Sequence, residues 1–288
     1  MKTGVIGLGA MGAGMAANLD KAGYLHRLWN RTTEKAEAIA RDSNADAADS
    51  IAALAGQCDL IITCVSRDED VIEMVEQIAA GARPGIIVAD TSTVSSDTAL
   101  QAAEILQEQD ARFLDCPVSG GVEGARKGTL SMMVGGEEAV LEEARPALSA
   151  VAANIVYIGP TGSGQACKAV NQIMCAGINE AVTEALAFGE DMGLDMDRVL
   201  DVVSRGAAGN WFLDHRGRTM LAGSFDVGFK VNLHHKDLQI CLNMAAHHPQ
   251  AKLPLTQMTV AHYEQLMAEG HGDEDISSLY RLKRHGRS

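Results

Sequence analysis

Residues 4 to 24 read GVIGLGAMGAGMAANLDKAGY, and the glycines at 7, 9 and 12 fit the pattern G-x-G-x-x-G. Glycine loses more freedom on folding than any other residue, so such a cluster needs a structural reason. Val5 and Ile6 before the loop read as a strand and Met15 to Leu19 after it as a helix, the setting that a dinucleotide-binding loop requires. In that setting Gly7 makes the tight turn, Gly9 lets backbone amides approach a pyrophosphate, and Gly12 packs helix on strand. The anion then sits at the helix N-terminus. The expected cofactor-binding loop is therefore Gly7, Leu8, Gly9, Ala10, Met11 and Gly12. An ordinary glycine-rich turn is the alternative.

Up to about residue 160 short β-rich runs (TGVIGLG, YLHRLWN, DLIITCV, GIIVAD, ARFLDCPV, SMMVGG, NIVYIG) alternate with helical patterns. Strands separated by helices predict parallel pairing in a doubly wound sheet. After GPTGSGQ, residues 159 to 165, helical periodicity continues to the end without a strand pattern. The expected fold is α/β: a doubly wound Rossmann-type sheet followed by an all-α C-terminal domain, with one long helix from about 162 to 190 joining them. A chain of 288 residues suits two domains, 1–161 for the dinucleotide and 162–288 for substrate and dimerisation, with a ligand site between them.

The net charge of −14 argues against a nucleic-acid partner, whose phosphates most of the surface would repel. Residues 171 to 189 are weakly polar but carry Glu180 and Glu184, so a buried helix is expected in place of a membrane span. The glycine loop begins at once with no charged and apolar leader, which suggests a cytoplasmic protein. The six cysteines form no C-x-x-C and read as small core residues in a reducing compartment. The paired histidines at 234 and 247 lack partners at metal spacing, so a solvated surface and no metal is expected. The basic RLKRHGRS at the end reads as a frayed, solvated tail.

The run YLHRLW is followed by Asn30-Arg31-Thr32, where an NAD-preferring site offers an acidic residue to the ribose hydroxyl. A carboxylate there would repel a 2′-phosphate, whereas Arg31 can pair with it and Thr32 can donate a hydroxyl. The pattern favours NADP, with NAD possible if Arg31 only covers the adenine face.

Ser119-Gly120-Gly121 follows a strand run, and a serine hydroxyl beside two glycine amides suits a substrate carboxylate, though the same residues also make a plain turn. A helix starting near Gly164 puts Lys168, Asn171, Gln172 and Cys175 on one face. Lysine can give a proton to a carbonyl oxygen as hydride arrives, if burial or a neighbouring charge tunes it. Asn171 suits holding the reacting oxygen or the carboxylate. A lysine snorkelling at a helix edge is the competing reading. Trp211 in GAAGNWFLDHRG walls a pocket or packs a core.

The ordered set GLGAMGAGMAANL, DTSTV, DCPVSGG, GPTGSGQACKAVNQ and HHKDL resembles the β-hydroxyacid dehydrogenase family over nearly the whole chain, down to GHGDEDISSLYR. The resemblance implies an NADP-dependent oxidoreductase interconverting a small 3-hydroxy or short ω-hydroxy acid and its semialdehyde, such as 3-hydroxyisobutyrate, tartronate semialdehyde or succinic semialdehyde. It implies Lys168 as catalytic acid/base, Asn171 as substrate orienter, and Ser119, Gly120 and Gly121 as the carboxylate clasp. Thr93 would lie near the nicotinamide and Lys236 would reach the cofactor, with Cys64, Val65 and Ser66 near the adenosine half. The chain departs from the family at Ser66 and Ser96, where prolines are common, and at Gln172, where a second asparagine is common. The alternatives are a non-catalytic NADP-binding regulator and an imine-reducing relative. A homodimer or homotetramer is expected from an all-α second domain.

Overall fold

The computed structural model describes residues 1–226, 228–248 and 250–284. In the first part of the chain, strands and helices alternate as β1 (Thr3–Ile6), α1 (Ala10–Lys21), β2 (Leu25–Trp29), α2 (Thr33–Arg41), β3 (Asp46–Ala47), α3 (Ile51–Ala55), β4 (Leu60–Thr63) and α4 (Asp68–Ala79). They continue as β5 (Ile87–Asp90), α5 (Ser96–Gln107), β6 (Arg112–Asp115), β7 (Val118–Ser119), α6 (Gly121–Lys127), β8 (Leu130–Gly136), α7 (Glu138–Leu148) and β9 (Ala152–Gly159). The sheet order is β3-β2-β1-β4-β5-β6-β8-β7, with β9 on β8.

Strands β1, β4 and β5 are buried along their whole length, which is why they read as continuous apolar runs. Successive side chains feed opposite cores: Val5 and Ile62 join Met15 and Leu19 on one face, while Ile6 and Ile61 join Val75 and Leu106 on the other. The sheet is therefore wound on both faces.

The expectation of parallel pairing holds from β3 to β6, and beyond it the sheet is mixed. Strand β8 runs antiparallel to β6 and to β7, and β9 returns parallel to β8. The physical cause is α6, which packs against α1 and does not cross the sheet: Asn18 Nδ2 donates to the Ala125 carbonyl at 2.8 Å. Without a full crossover helix the chain turns straight back.

The helical part comprises α8 (Ser163–Asp191), α9 (Met196–Val203), α10 (Trp211–Leu221), α11 (Val231–Ala246), α12 (Pro254–Ala268), a 3₁₀ turn at Ile276–Leu279 and α13 (Tyr280–Lys283). Among the described residues it contains no strand, only an isolated bridge between Lys230 and Asp275. Its core gathers Leu186, Leu213, Met220, Leu238, Tyr263 and Tyr280. The two compact units divide inside α8, after Lys168, where the sequence places the boundary before the helix at 161/162. A continuous helix carries no linker signature.

Two surface expectations are corrected. His234 is fully buried, with Nδ1 bonded to Tyr263 Oη at 3.0 Å and Nε2 to the Gln172 carbonyl at 3.2 Å. A ring with both nitrogens hydrogen-bonded escapes the cost that makes paired histidines look solvated. The end of the chain is not frayed up to residue 284: Lys283 pairs with Glu180 at 2.9 Å and Arg284 with Glu190 at 3.0 Å. Residues 285–288 of that basic stretch lie outside the described residues.

All six cysteines are free, and Cys58, Cys116 and Cys241 are buried while Cys64, Cys167 and Cys175 are partly exposed. No described helix is long and apolar enough to cross a membrane.

Candidate active site

The loop between β1 and α1 is built by steric exclusion. Gly7 adopts φ +91°, and a Cβ there would stand 2.3 Å from the Cys64 carbonyl oxygen. A Cβ at Gly12 would stand 1.9 Å from the Gly7 carbonyl oxygen, so α1 can start this close to β1 only with glycine. At Gly9 a Cβ would meet nothing within 4 Å. The open space beside Gly9 faces a helix start that no side chain caps. Uncapped amides with room before them fit a pyrophosphate, and the loop as a whole fits a dinucleotide. Leu8 is buried, while Ala10 is exposed and Met11 partly so.

Asn30 is used inward. Its Oδ1 accepts from the Leu8 amide at 2.8 Å and its Nδ2 donates to the Thr32 carbonyl at 3.0 Å, tying the end of β2 to the glycine loop. Arg31 projects outward with 83% of its side chain exposed, 3.9 Å from Asp70. Thr32 stands at the N-cap of α2, its side chain making no cap bond. Val65 donates its amide to Ser92 Oγ at 2.9 Å, and Ser66 is exposed beyond it. Burial pushes the Cys64 thiol up to about 11, which keeps it an uncharged wall under α1.

The C-terminal ends of β5 and β6 form the next layer, where open α/β sheets hold ligands. Asp90 is fully buried and accepts from Thr63 Oγ1 at 2.6 Å and Ser92 Oγ at 2.7 Å. Asp115, also fully buried, accepts from the amides of Gly162 at 2.8 Å and Gln165 at 2.9 Å. Gln165 in turn donates to the Ser92 carbonyl at 2.9 Å and accepts from the Val94 amide at 3.2 Å. The first turn of α8 is thus fastened to two strand ends, and Lys168 follows within one turn, 6% exposed. Partly exposed Thr93 sits between these anchors. Ser119 ends β7, and Gly120 and Gly121 adopt φ +128° and +60° at the start of α6. Those angles suit glycine alone and leave the serine and both glycines at the surface.

Burial pushes the Asp115 carboxyl up to about 6, against the pull of the two amides, with Asp90 adding to the rise. A carboxyl raised above its unfolded value of 3.8 contributes stability below that value, and the contribution fades as pH climbs through about 6. Asp115→Asn removes one acceptor from two buried amides and is expected to destabilise by about 1–3 kcal/mol near pH 4. Denaturant titrations from pH 4 to 8 should show that gap narrowing with rising pH; a widening gap would contradict the assignment.

In the helical unit, Asn171 Nδ2 donates to Gln172 Oε1 at 2.7 Å, and Gln172 Nε2 donates to Asp237 Oδ2 at 2.6 Å. Lys236 pairs with the other Asp237 oxygen at 2.9 Å. Gln172 and Asp237 are buried and Asn171 and Lys236 are partly exposed, so the row runs from core to surface at both ends. Trp211 is 59% exposed and stacks on His215 with centroids 4.2 Å apart, whereas its neighbour Phe212 is the core residue. Among the described residues no cluster of side chains could hold a metal ion.

Residues 2–159 match the family described as the NAD binding domain of 6-phosphogluconate dehydrogenase, and residues 162–283 match that described as the NAD-binding of NADP-dependent 3-hydroxyisobutyrate dehydrogenase. The 2-hydroxy-3-oxopropionate reductase of Escherichia coli (strain K12) is 36% identical, over 97% of this chain and 96% of its own. The chain belongs to the β-hydroxyacid dehydrogenase family. An uncharacterized oxidoreductase of Shewanella frigidimarina (strain NCIMB 400) is likewise 36% identical, over 100% of this chain and 99% of its own. Among solved structures, the 3-hydroxyisobutyrate dehydrogenase of Mycobacterium tuberculosis with L-serine superposes with a TM-score of 0.90 at 31% identity, covering 98% of this chain and 99% of that one. This β-hydroxyacid dehydrogenase is an NAD(P)-dependent oxidoreductase acting on CH–OH groups.

Sequence reasoning missed Asp115, Gln165 and Asp237. An acid closing an apolar strand was the available signal for Asp115 in DCPVSGG, and an acid beside Lys236 the signal for Asp237 in HHKDL.

Proposed function

We propose that this dehydrogenase uses NADP to interconvert a small 3-hydroxy acid and its semialdehyde, with Lys168 as the acid/base. The observation that carries the reading is Lys168 itself: a lysine 6% exposed, on a helix whose first turn Asp115 and Gln165 fasten to the strand ends. Burying a lysine is costly, and placing it with this rigidity suits a group that must meet one atom. The chemistry NADP supplies when bound is hydride transfer at the carbon bearing the reacting oxygen.

The glycine loop from Gly7 to Gly12 would hold the pyrophosphate, with Asn30 bracing the loop from behind. Arg31 and Thr32 would take the 2′-phosphate, and the segment Cys64, Val65 and Ser66 the adenosine half. Thr93 would border the nicotinamide and Lys236 would reach the cofactor. Ser119 Oγ and the amides of Gly120 and Gly121 would clasp the substrate carboxylate. Lys168 Nζ would give its proton to the carbonyl oxygen in reduction and take it back in oxidation, while Asn171, steadied by Gln172, orients the substrate. Trp211 would close the wall on the helical side. We place the enzyme in the cytoplasm as a homodimer or homotetramer, which light scattering would check.

A panel of glyoxylate and the tartronate, methylmalonate and succinic semialdehydes, each with NADPH and NADH, tests this reading. A three- or four-carbon aldehyde acid with NADPH should give the highest kcat/KM, and no turnover of any would end it. Arg31→Ala should lower kcat/KM for NADPH about tenfold, one charge-assisted contact, and leave NADH nearly unchanged. An equal loss with both would put Arg31 over the adenine instead.

A further inference from the structure

The row Lys236, Asp237, Gln172, Asn171 fixes which way each amide faces. Asp237 meets Lys236 Nζ with one carboxylate oxygen and takes a hydrogen bond from Gln172 Nε2 on the other, so Gln172 turns its nitrogen to Asp237 at 2.6 Å. Its oxygen then faces Asn171 and takes the Asn171 Nδ2 donor at 2.7 Å. The same nitrogen lies 3.6 Å from Cys175 Sγ, so both of its hydrogens are engaged. Asn171 is thereby held with Nδ2 inward, and its Oδ1 has no partner among the described residues. The exposed part of this half-buried residue presents an acceptor and no donor, three positions beyond Lys168 on α8.

We propose that Gln172 is a specificity-determining positioning residue: by locking Asn171 with its oxygen outward, it selects substrates that carry a hydrogen-bond donor, a hydroxyl or an ammonium, on the carbon between the carboxylate and the reacting carbon. This rests on the assignment of Asn171 to the substrate under the proposed function. A carboxylate or carbonyl oxygen would be repelled by Oδ1, and a methyl group would leave it desolvated and unsatisfied, a cost that separates substrates more sharply than shape alone. An asparagine at 172 is one methylene shorter than the glutamine that here spans from α8 to Asp237 on α11, so the lock depends on the longer side chain.

The test uses the whole enzyme with NADP and four 3-hydroxypropanoic acids that differ only in the substituent on the second carbon: hydroxyl, ammonium, methyl and hydrogen, with both enantiomers where they exist. At least one donor-bearing acid should exceed the methyl and hydrogen acids in kcat/KM by about tenfold or more, the worth of one good hydrogen bond. The hydroxyl and ammonium arms then tell the two donors apart. Gln172→Met, which keeps the volume and removes both polar ends, should bring that ratio within about threefold while NADP binding, followed by cofactor fluorescence, persists. A methyl or hydrogen acid equal to or better than both donors in the wild type overturns the inference, as does a ratio unchanged in Gln172→Met. If that variant does not fold, the wild-type ratios decide. No turnover of any of the four, with no turnover in the aldehyde panel, overturns the proposed function and this inference with it; turnover without discrimination overturns this inference alone.

Discussion

Replacing Lys168 with methionine is expected to lower kcat by about 100-fold or more, the usual contribution of a general acid/base, with the dissociation constant of NADP within a few-fold of wild type. Methionine keeps most of the lysine stem, so the buried volume at this 6%-exposed position is nearly conserved. The loss should fall on kcat and kcat/KM alike, because proton delivery matters only as the carbonyl is reduced. Pre-steady-state turnover with a saturating substrate separates this from a binding defect. Turnover within threefold of wild type would leave a cofactor-binding scaffold whose proton comes from elsewhere.

Gly12→Ala should have a comparably large effect through the backbone. The added methyl would sit 1.9 Å from the Gly7 carbonyl oxygen and 3.5 Å from the Cys64 Cβ, with no flexible side chain at the nearest point to give way. Helix α1 must therefore withdraw from β1, opening the loop and the packing of Met15 and Leu19 at once. Overpacking against fixed backbone costs on the order of 3 kcal/mol, which predicts a fall in melting temperature and at least tenfold weaker NADP binding by titration. Gly9→Ala is the control: open space there predicts little loss of stability with weakened cofactor binding, since the methyl would intrude only on the proposed place of the pyrophosphate.

Much of the nucleotide-binding unit could be read from the chain because its signals are local. The glycine spacing, the alternating runs and the start of α8 near Gly164 each follow from a few consecutive residues, and the helix indeed begins at Ser163. The two-residue strands β3 and β7 were invisible, since Asp46–Ala47 and Val118–Ser119 are too short to show a period. Helix α6 stands between two strand runs as a crossover would, and its packing on α1, a contact between residues more than a hundred positions apart, is what departs from that pattern.

The same distance hid the polar rows. Lys168, Asn171 and Gln172 stood out by spacing, but Asp115 and Asp237 acquire their partners only when strand ends and helices meet. His234 is the sharpest case, because a histidine is apolar or polar according to whether both ring nitrogens find partners, and Tyr263 and the Gln172 carbonyl lie far along the chain.

Glu180, 4% exposed in the middle of α8, meets His262 at 2.8 Å and Lys283 at 2.9 Å. An internal carboxylate lacking such partners costs several kcal/mol. During synthesis the sheet unit has all its strands once Gly159 has emerged, whereas the helical unit waits for Lys283 before this acid is neutralised. A ribosome-bound chain stalled shortly before that lysine should thus display a protease-resistant amino-terminal half and a molten, cleavable remainder, the two halves maturing in sequence and not together.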